Sequence, residues 1–129
     1  MPFQITAMYA AIFGILFIGF SFYVSAVRAK TGVSTGDGGN IAMVVAMRRH
    51  GNMAESTPFA LLLMALAEAN DLSAMWVHIA GLVLIAGRLI HPFGIGEGGG
   101  NFPARIVGQS ATYIAMAIAA VSILWSSIS

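Results

Sequence analysis

The chain has 129 residues, 58% of them hydrophobic and 9% charged, with a mean hydropathy of +0.85. A soluble domain carries about 25% charged residues, so the composition excludes one and points to an all-α integral membrane protein: a single domain, 1–129, of about four spans of roughly 20 residues each. The net charge of +1 gives no reason to expect a nucleic-acid partner, and the chain has no cysteine for a disulfide or a thiol nucleophile. Sulfur chemistry here requires a bound thiol.

In chain order, the first apolar run predicts a helix over residues 3–27, ended by Arg28 and Lys30. It has no basic region before it and no convincing cleavage site, so it reads as a retained span and not a signal peptide. Residues 31–40 form a linker rich in Gly, Ser and Thr, and Asn40 is placed to cap a second helix over 41–69. At ~1.5 Å per residue that helix would be about 44 Å long, beyond the ~30 Å hydrocarbon core. Pro58 lies inside it and predicts a kink. Asn70-Asp71 makes a short turn in which either residue can cap a third helix, over 72–93, antiparallel to the second. A glycine-rich loop, 94–100, leads to Asn101, a cap for a fourth helix running to about residue 125. The basic residues Arg28, Lys30 and Arg105 flank the first and third loops, whereas Glu68 and Asp71 flank the second. The positive-inside rule then puts the first and third loops in the cytoplasm and both termini outside.

Helix 2 carries a polar block, Arg48-Arg49-His50-Gly51-Asn52-Met53-Ala54-Glu55, between apolar flanks. Each charge at mid-membrane costs roughly 2.5–3.5 kcal/mol on an insertion scale, so these groups must face protein, a wet cavity or a polar ligand. Arg48, Asn52 and Glu55 are spaced by four and three and share one face. Arg49 lies about 100° away and is expected at the headgroups. Arg88 and His91 on helix 3, Arg105 on helix 4 and Arg28 on helix 1 lie at the same end of the bundle. Cations from four helices meet few acids there. Two readings fit: Arg48–Glu55 and Arg88–Glu55 are structural ion pairs that hold the bundle together, or the residual positive charge meets an anionic ligand, since guanidinium groups pair carboxylates bidentately. Hiding the polar face of helix 2 from lipid calls for further copies of the chain packed against that helix.

The segment from Arg48 to Pro58, with Asn52, Glu55 and Pro58 four, seven and ten residues after Arg48, resembles the helix-2 signature of the MAPEG family, the membrane-associated proteins in eicosanoid and glutathione metabolism. Ala86-Gly87-Arg88-Leu89-Ile90-His91 is similar to that family's helix-3 motif, and Arg105, Gly108 and Thr112 follow in the expected order on helix 4. The nearest likeness is to small bacterial members. The resemblance implies a homotrimer of four-helix bundles with a glutathione site between subunits. Arg28, Arg48, Asn52, Glu55, Arg88 and His91 would bind the thiol peptide, Glu55 meeting its amine, and Arg105 would stabilise the thiolate. No metal is implied. Lipophilic electrophiles or lipid hydroperoxides would be the substrates, within a bacterial inner membrane.

The chain departs from the family pattern at two positions. Ile95 and Gln109 stand where family enzymes often carry tyrosine, seven residues after the helix-3 arginine and four after the helix-4 arginine. A non-catalytic protein that binds a small anion or lipid headgroup in the same basic cleft is therefore the alternative expectation. His50 is expected to bind no metal, His78 to be a hydrogen-bonded core residue, and Gly14, Gly19, Gly81 and Gly108 to let helices approach closely.

Overall fold

A computed structural model describes residues 3–128. The four helices are α1 (Gln4–Thr31), α2 (Ile41–Ala69), α3 (Ala74–Ile90) and α4 (Phe102–Ile128), with short 3-10 turns at His91–Gly94 and Glu97–Gly99. No strand occurs among the described residues. α1, α3 with its following turn, and α4 are long and apolar enough to cross a membrane; α2, with the polar block in its first half, is not among these.

The helix ends follow local chemistry. Asn40 accepts from the Met43 N–H at 3.2 Å and Asn101 from the Ala104 N–H at 3.1 Å, so both asparagines cap as the sequence predicts. The Asn70-Asp71 turn behaves differently. Asn70 donates to the Leu66 carbonyl at 2.7 Å and closes the end of α2, while α3 starts from Ser73 with no side-chain cap. α2 runs unbroken through Pro58. α3 ends at Ile90, before Pro92, and the chain tightens into a 3-10 turn.

Contacts across the bundle fix its antiparallel order. The Glu68 carboxylate, near the end of α2, accepts from the Ile5 and Thr6 N–H groups at 2.9 and 2.8 Å. It thereby supplies the N-terminus of α1 with acceptors that its own Phe3 cap lacks. α3 and α4 pack where both are glycine: a Cβ on Gly108 would lie 2.7 Å from the Gly87 carbonyl oxygen and 2.7 Å from His91 Cβ. Gly81 lies under the Tyr9 ring. Gly14 and Gly19 have no such neighbour within the protomer; they face open space on α1. The core is built from Tyr9, Phe13, Met53, Met64 and Leu84, with alanines from α2, α3 and α4 between them. His78 is not a core residue. It is exposed, although its Nδ1 lies 3.1 Å from the Tyr9 hydroxyl.

Candidate functional site

α2 has two faces of opposite character. Ala46, Met53, Ala60 and Ala67 recur every seventh residue and are buried. Arg48, Glu55 and Leu62, also seven apart, lie on an exposed face with Phe59 and Leu66. The Arg48 and Glu55 side chains pair at 3.7 Å and are 55% and 64% exposed. Glu55 is thus not buried within one protomer, and Arg88 makes no ion pair with it; Arg48–Glu55 is the ion pair found among the described residues. The exposed face of α1, by contrast, carries Ile15, Ile18 and Phe22 and no charged residue between them. Lipid can cover that face without penalty. It cannot cover α2 so cheaply.

Behind the exposed face stands Arg88, 1% exposed. One Nη donates to the Gly108 carbonyl at 3.0 Å and to Gln109 Oε1 at 3.2 Å, and the other reaches the Asn52 carbonyl at 3.5 Å. Its Nε has no hydrogen-bond partner among the described residues. Arg88 therefore braces α2, α3 and α4 while keeping its charge unneutralised by any carboxylate of the described residues. Asn52 donates to the Arg48 carbonyl at 3.2 Å, which holds its side chain along α2. His91 is 3% exposed and packs on Gly108. Arg105 is exposed, with its backbone against Gly94. Arg28 turns to its own loop, donating to the Val33 and Gly36 carbonyls at 3.2 and 2.9 Å.

Among the described residues, then, Arg48 and Glu55 pair, and Arg88 joins Asn52 to α4. No hydrogen bond or ion pair links Arg28 or Arg105 to these residues. The cations share an end of the bundle without closing one cleft within the protomer.

Arg49 is half-buried, with partners that the sequence reading did not name. It donates to the Pro92 and Ile95 carbonyls and the Tyr23 hydroxyl. Phe20, Tyr23, Arg49, Pro92 and Phe93 line a pocket of roughly 260 Å³ there. The seven-residue register of Ala46, Met53, Ala60 and Ala67 on α2 was the signal, since position 49 precedes Met53 by one turn on the buried side. His50 Nε2 lies 3.2 Å from Ser21 Oγ, and its ring packs against Phe17.

A model of the MAPEG family matches residues 6–125, a span that takes in all four helices. The chain belongs to the MAPEG family. It is 39% identical over 122 residues to the inner membrane protein YecN of Escherichia coli K12, an alignment covering 95% of this chain and 92% of that protein. YecN of Escherichia coli O6:H1 strain CFT073 matches with the same identity and coverage. No solved structure gives a significant match. The chain is thus a membrane protein of a family that includes glutathione transferases. Both departures from the MAPEG tyrosines are occupied in the structure: the Ile95 carbonyl by Arg49 and the Gln109 side chain by Arg88. Tyr113, one turn beyond Gln109, is 60% exposed.

Proposed function

We propose that this protein binds glutathione or a similar low-molecular-weight thiol and presents it as a thiolate to lipophilic electrophiles or lipid hydroperoxides. The observation that carries this reading is the Arg48–Asn52–Glu55 face of α2, exposed on the protomer and backed by the unneutralised Arg88. Two charges on the outside of a membrane helix need a cover, and a second and third copy of the chain in a cyclic trimer supply it. α2 then spans the membrane at the centre of the assembly, and each cleft between copies carries cations for the two carboxylates of the peptide. Glu55 meets its amine. Arg28 and His91 line the same end.

Arg105, exposed at the start of α4, serves as the cation beside the sulfur. A free thiol titrates near 8.5, and an adjacent guanidinium favours its thiolate. The thiolate sulfur forms the new bond to an electrophilic carbon as the leaving group departs with the electron pair. With a hydroperoxide it attacks the terminal oxygen: the S–O bond forms as the O–O bond breaks, the alkoxide takes up a proton and leaves as the alcohol, and the sulfenic acid on the peptide condenses with a second thiol to the disulfide and water. The localisation that fits is an inner membrane, with the loops at 32–40 and 91–101 in the cytoplasm and the termini outside.

Gln109 and Ile95 favour a second reading. With no tyrosine hydroxyl at either position, the same cleft can hold a small anion or lipid headgroup without turnover. Calorimetry of the purified protein against glutathione, glutathione disulfide, inorganic phosphate and anionic lipid separates the two. Glutathione binding with thiolate absorbance below the free thiol's pKa supports the enzyme reading. Binding with no thiolate, and no turnover of an aryl halide or lipid hydroperoxide, identifies a binder. Mass measurement in mild detergent checks the trimer; a monomer at working concentration refutes it.

A further inference from the structure

Of the two adjacent arginines of α2, Arg49 alone turns inward, and it does so onto backbone. Its Nε donates to the Pro92 and Ile95 carbonyls at 3.0 and 2.9 Å, and its Nη2 donates to the Ile95 carbonyl at 2.7 Å. Its Nη1 reaches the Tyr23 hydroxyl at 3.2 Å. One side chain thus ties α1 and α2 to the turn that ends α3. The planar guanidinium fork suits this task because it meets two carbonyls without changing rotamer. The Pro92 carbonyl also accepts from the Ile95 N–H at 3.1 Å, so Arg49 meets its second lone pair. Carbonyls at a helix end also carry the negative end of the dipole, which favours a cation there.

The turn leads directly to Arg105. The Phe93 carbonyl accepts from the Asn101 N–H at 3.2 Å, and the Asn101 carbonyl accepts from the Arg105 N–H at 3.1 Å. The Gly94 backbone lies against the Arg105 backbone with no room for a Cβ. Between these contacts, residues 96–100 read Gly-Glu-Gly-Gly-Gly, and Gly98, Gly99 and Gly100 all have positive φ. Such a loop has almost no side chains to pin it and much backbone entropy to lose. Something outside the loop must hold it.

We propose that Arg49 is a positioning residue: by holding the Pro92 and Ile95 carbonyls it fixes the turn between α3 and α4, and through Gly94 and Asn101 it sets where Arg105 stands relative to the Arg48–Asn52–Glu55 face. This rests on the reading of Arg105 as the group that stabilises a bound thiolate. Arg48 and Arg49 are neighbours in sequence and divide the work, one on the exposed face and one on the clamp behind it.

The test combines amide exchange of residues 93–105 with the pH titration of glutathione thiolate, in wild type, Arg49→Met and Arg49→Lys. In Arg49→Met, exchange at Asn101 and Arg105 should rise about tenfold, the equivalent of one or two hydrogen bonds. The thiolate titration should move to higher pH without a comparable loss of glutathione affinity. Arg49→Lys should restore both in parallel and in part. Unchanged exchange in Arg49→Met overturns the proposal. So does faster exchange with an unmoved titration, which would make Arg49 structural only. Full recovery of the titration by Arg49→Lys while exchange stays fast also overturns it, since charge alone would then act. A wild type that gives no thiolate signal defeats the reading of Arg105, and exchange then decides the clamp alone: a rise in Arg49→Met supports it and no change removes it.

Discussion

Replacing Arg88 by Met should leave the ligand-free protein nearly as stable as wild type while abolishing its stabilisation by glutathione. Arg88 is 1% exposed and has no carboxylate partner among the described residues. Burying an unpaired charge carries an effective penalty of several kcal/mol. Against this stand two good hydrogen bonds, to the Gly108 carbonyl and Gln109, and a long one to Asn52. Bonds to a charged group contribute about 1.5–3 kcal/mol each, so the two sides nearly cancel. The substitution strands no acceptor: the Gly108 carbonyl keeps the Thr112 hydroxyl at 3.2 Å, and the half-buried Gln109 can turn toward solvent. Met fills much of the space and adapts to the remainder. The net change should lie within about 1 kcal/mol. Glutathione at 100 times its dissociation constant stabilises a binding-competent protein by about 2.7 kcal/mol, and Arg88→Met should lose most of that. Thermal or denaturant unfolding in detergent, with and without glutathione, reads both numbers. A loss of 3–5 kcal/mol without ligand would refute the reasoning, because it would mean that a carboxylate supplied by the assembled protein already neutralises Arg88.

Gly108→Ala places a methyl 2.7 Å from the Gly87 carbonyl oxygen; separating α3 from α4 should cost about 1–3 kcal/mol in unfolding measurements. Glu68→Ala removes both acceptors from the Ile5 and Thr6 N–H groups. Loss of that cap should destabilise by about 1–2 kcal/mol and raise amide exchange at the start of α1, with little change elsewhere. In the cysteine-free background, a cysteine at Asp37 should react with an impermeant maleimide only from the cytoplasmic side and one at Ser73 only from the outer side. The reverse labelling inverts the orientation.

The helices were legible because their signals are local. Long apolar runs, Asn40 and Asn101 at helix starts, and a glycine run between two spans read directly from the chain. The polar face of α2 was equally plain, since spacings of four and three put Arg48, Asn52 and Glu55 together whatever surrounds them. Which of Arg48 and Arg49 would turn inward was written more faintly, in the seven-residue register of Ala46, Met53, Ala60 and Ala67. Polarity alone does not show it, because the carbonyls that hold Arg49 come from a turn over forty residues away in the chain.

Other features belong to the tertiary structure alone. Glu68 reads as a turn-flanking acid until α1 folds back and brings the Ile5 and Thr6 N–H groups to it. Gly81 and Gly108 meet a neighbour while Gly14 and Gly19 meet none, a difference set by which face each helix presents. The sequence by itself determined that this is a helical membrane protein of the MAPEG family with a basic, polar end. Only packing decided that Arg88 is buried with no counter-ion among the described residues and that Arg49 grips backbone, because a charge takes its meaning from partners far away in the chain.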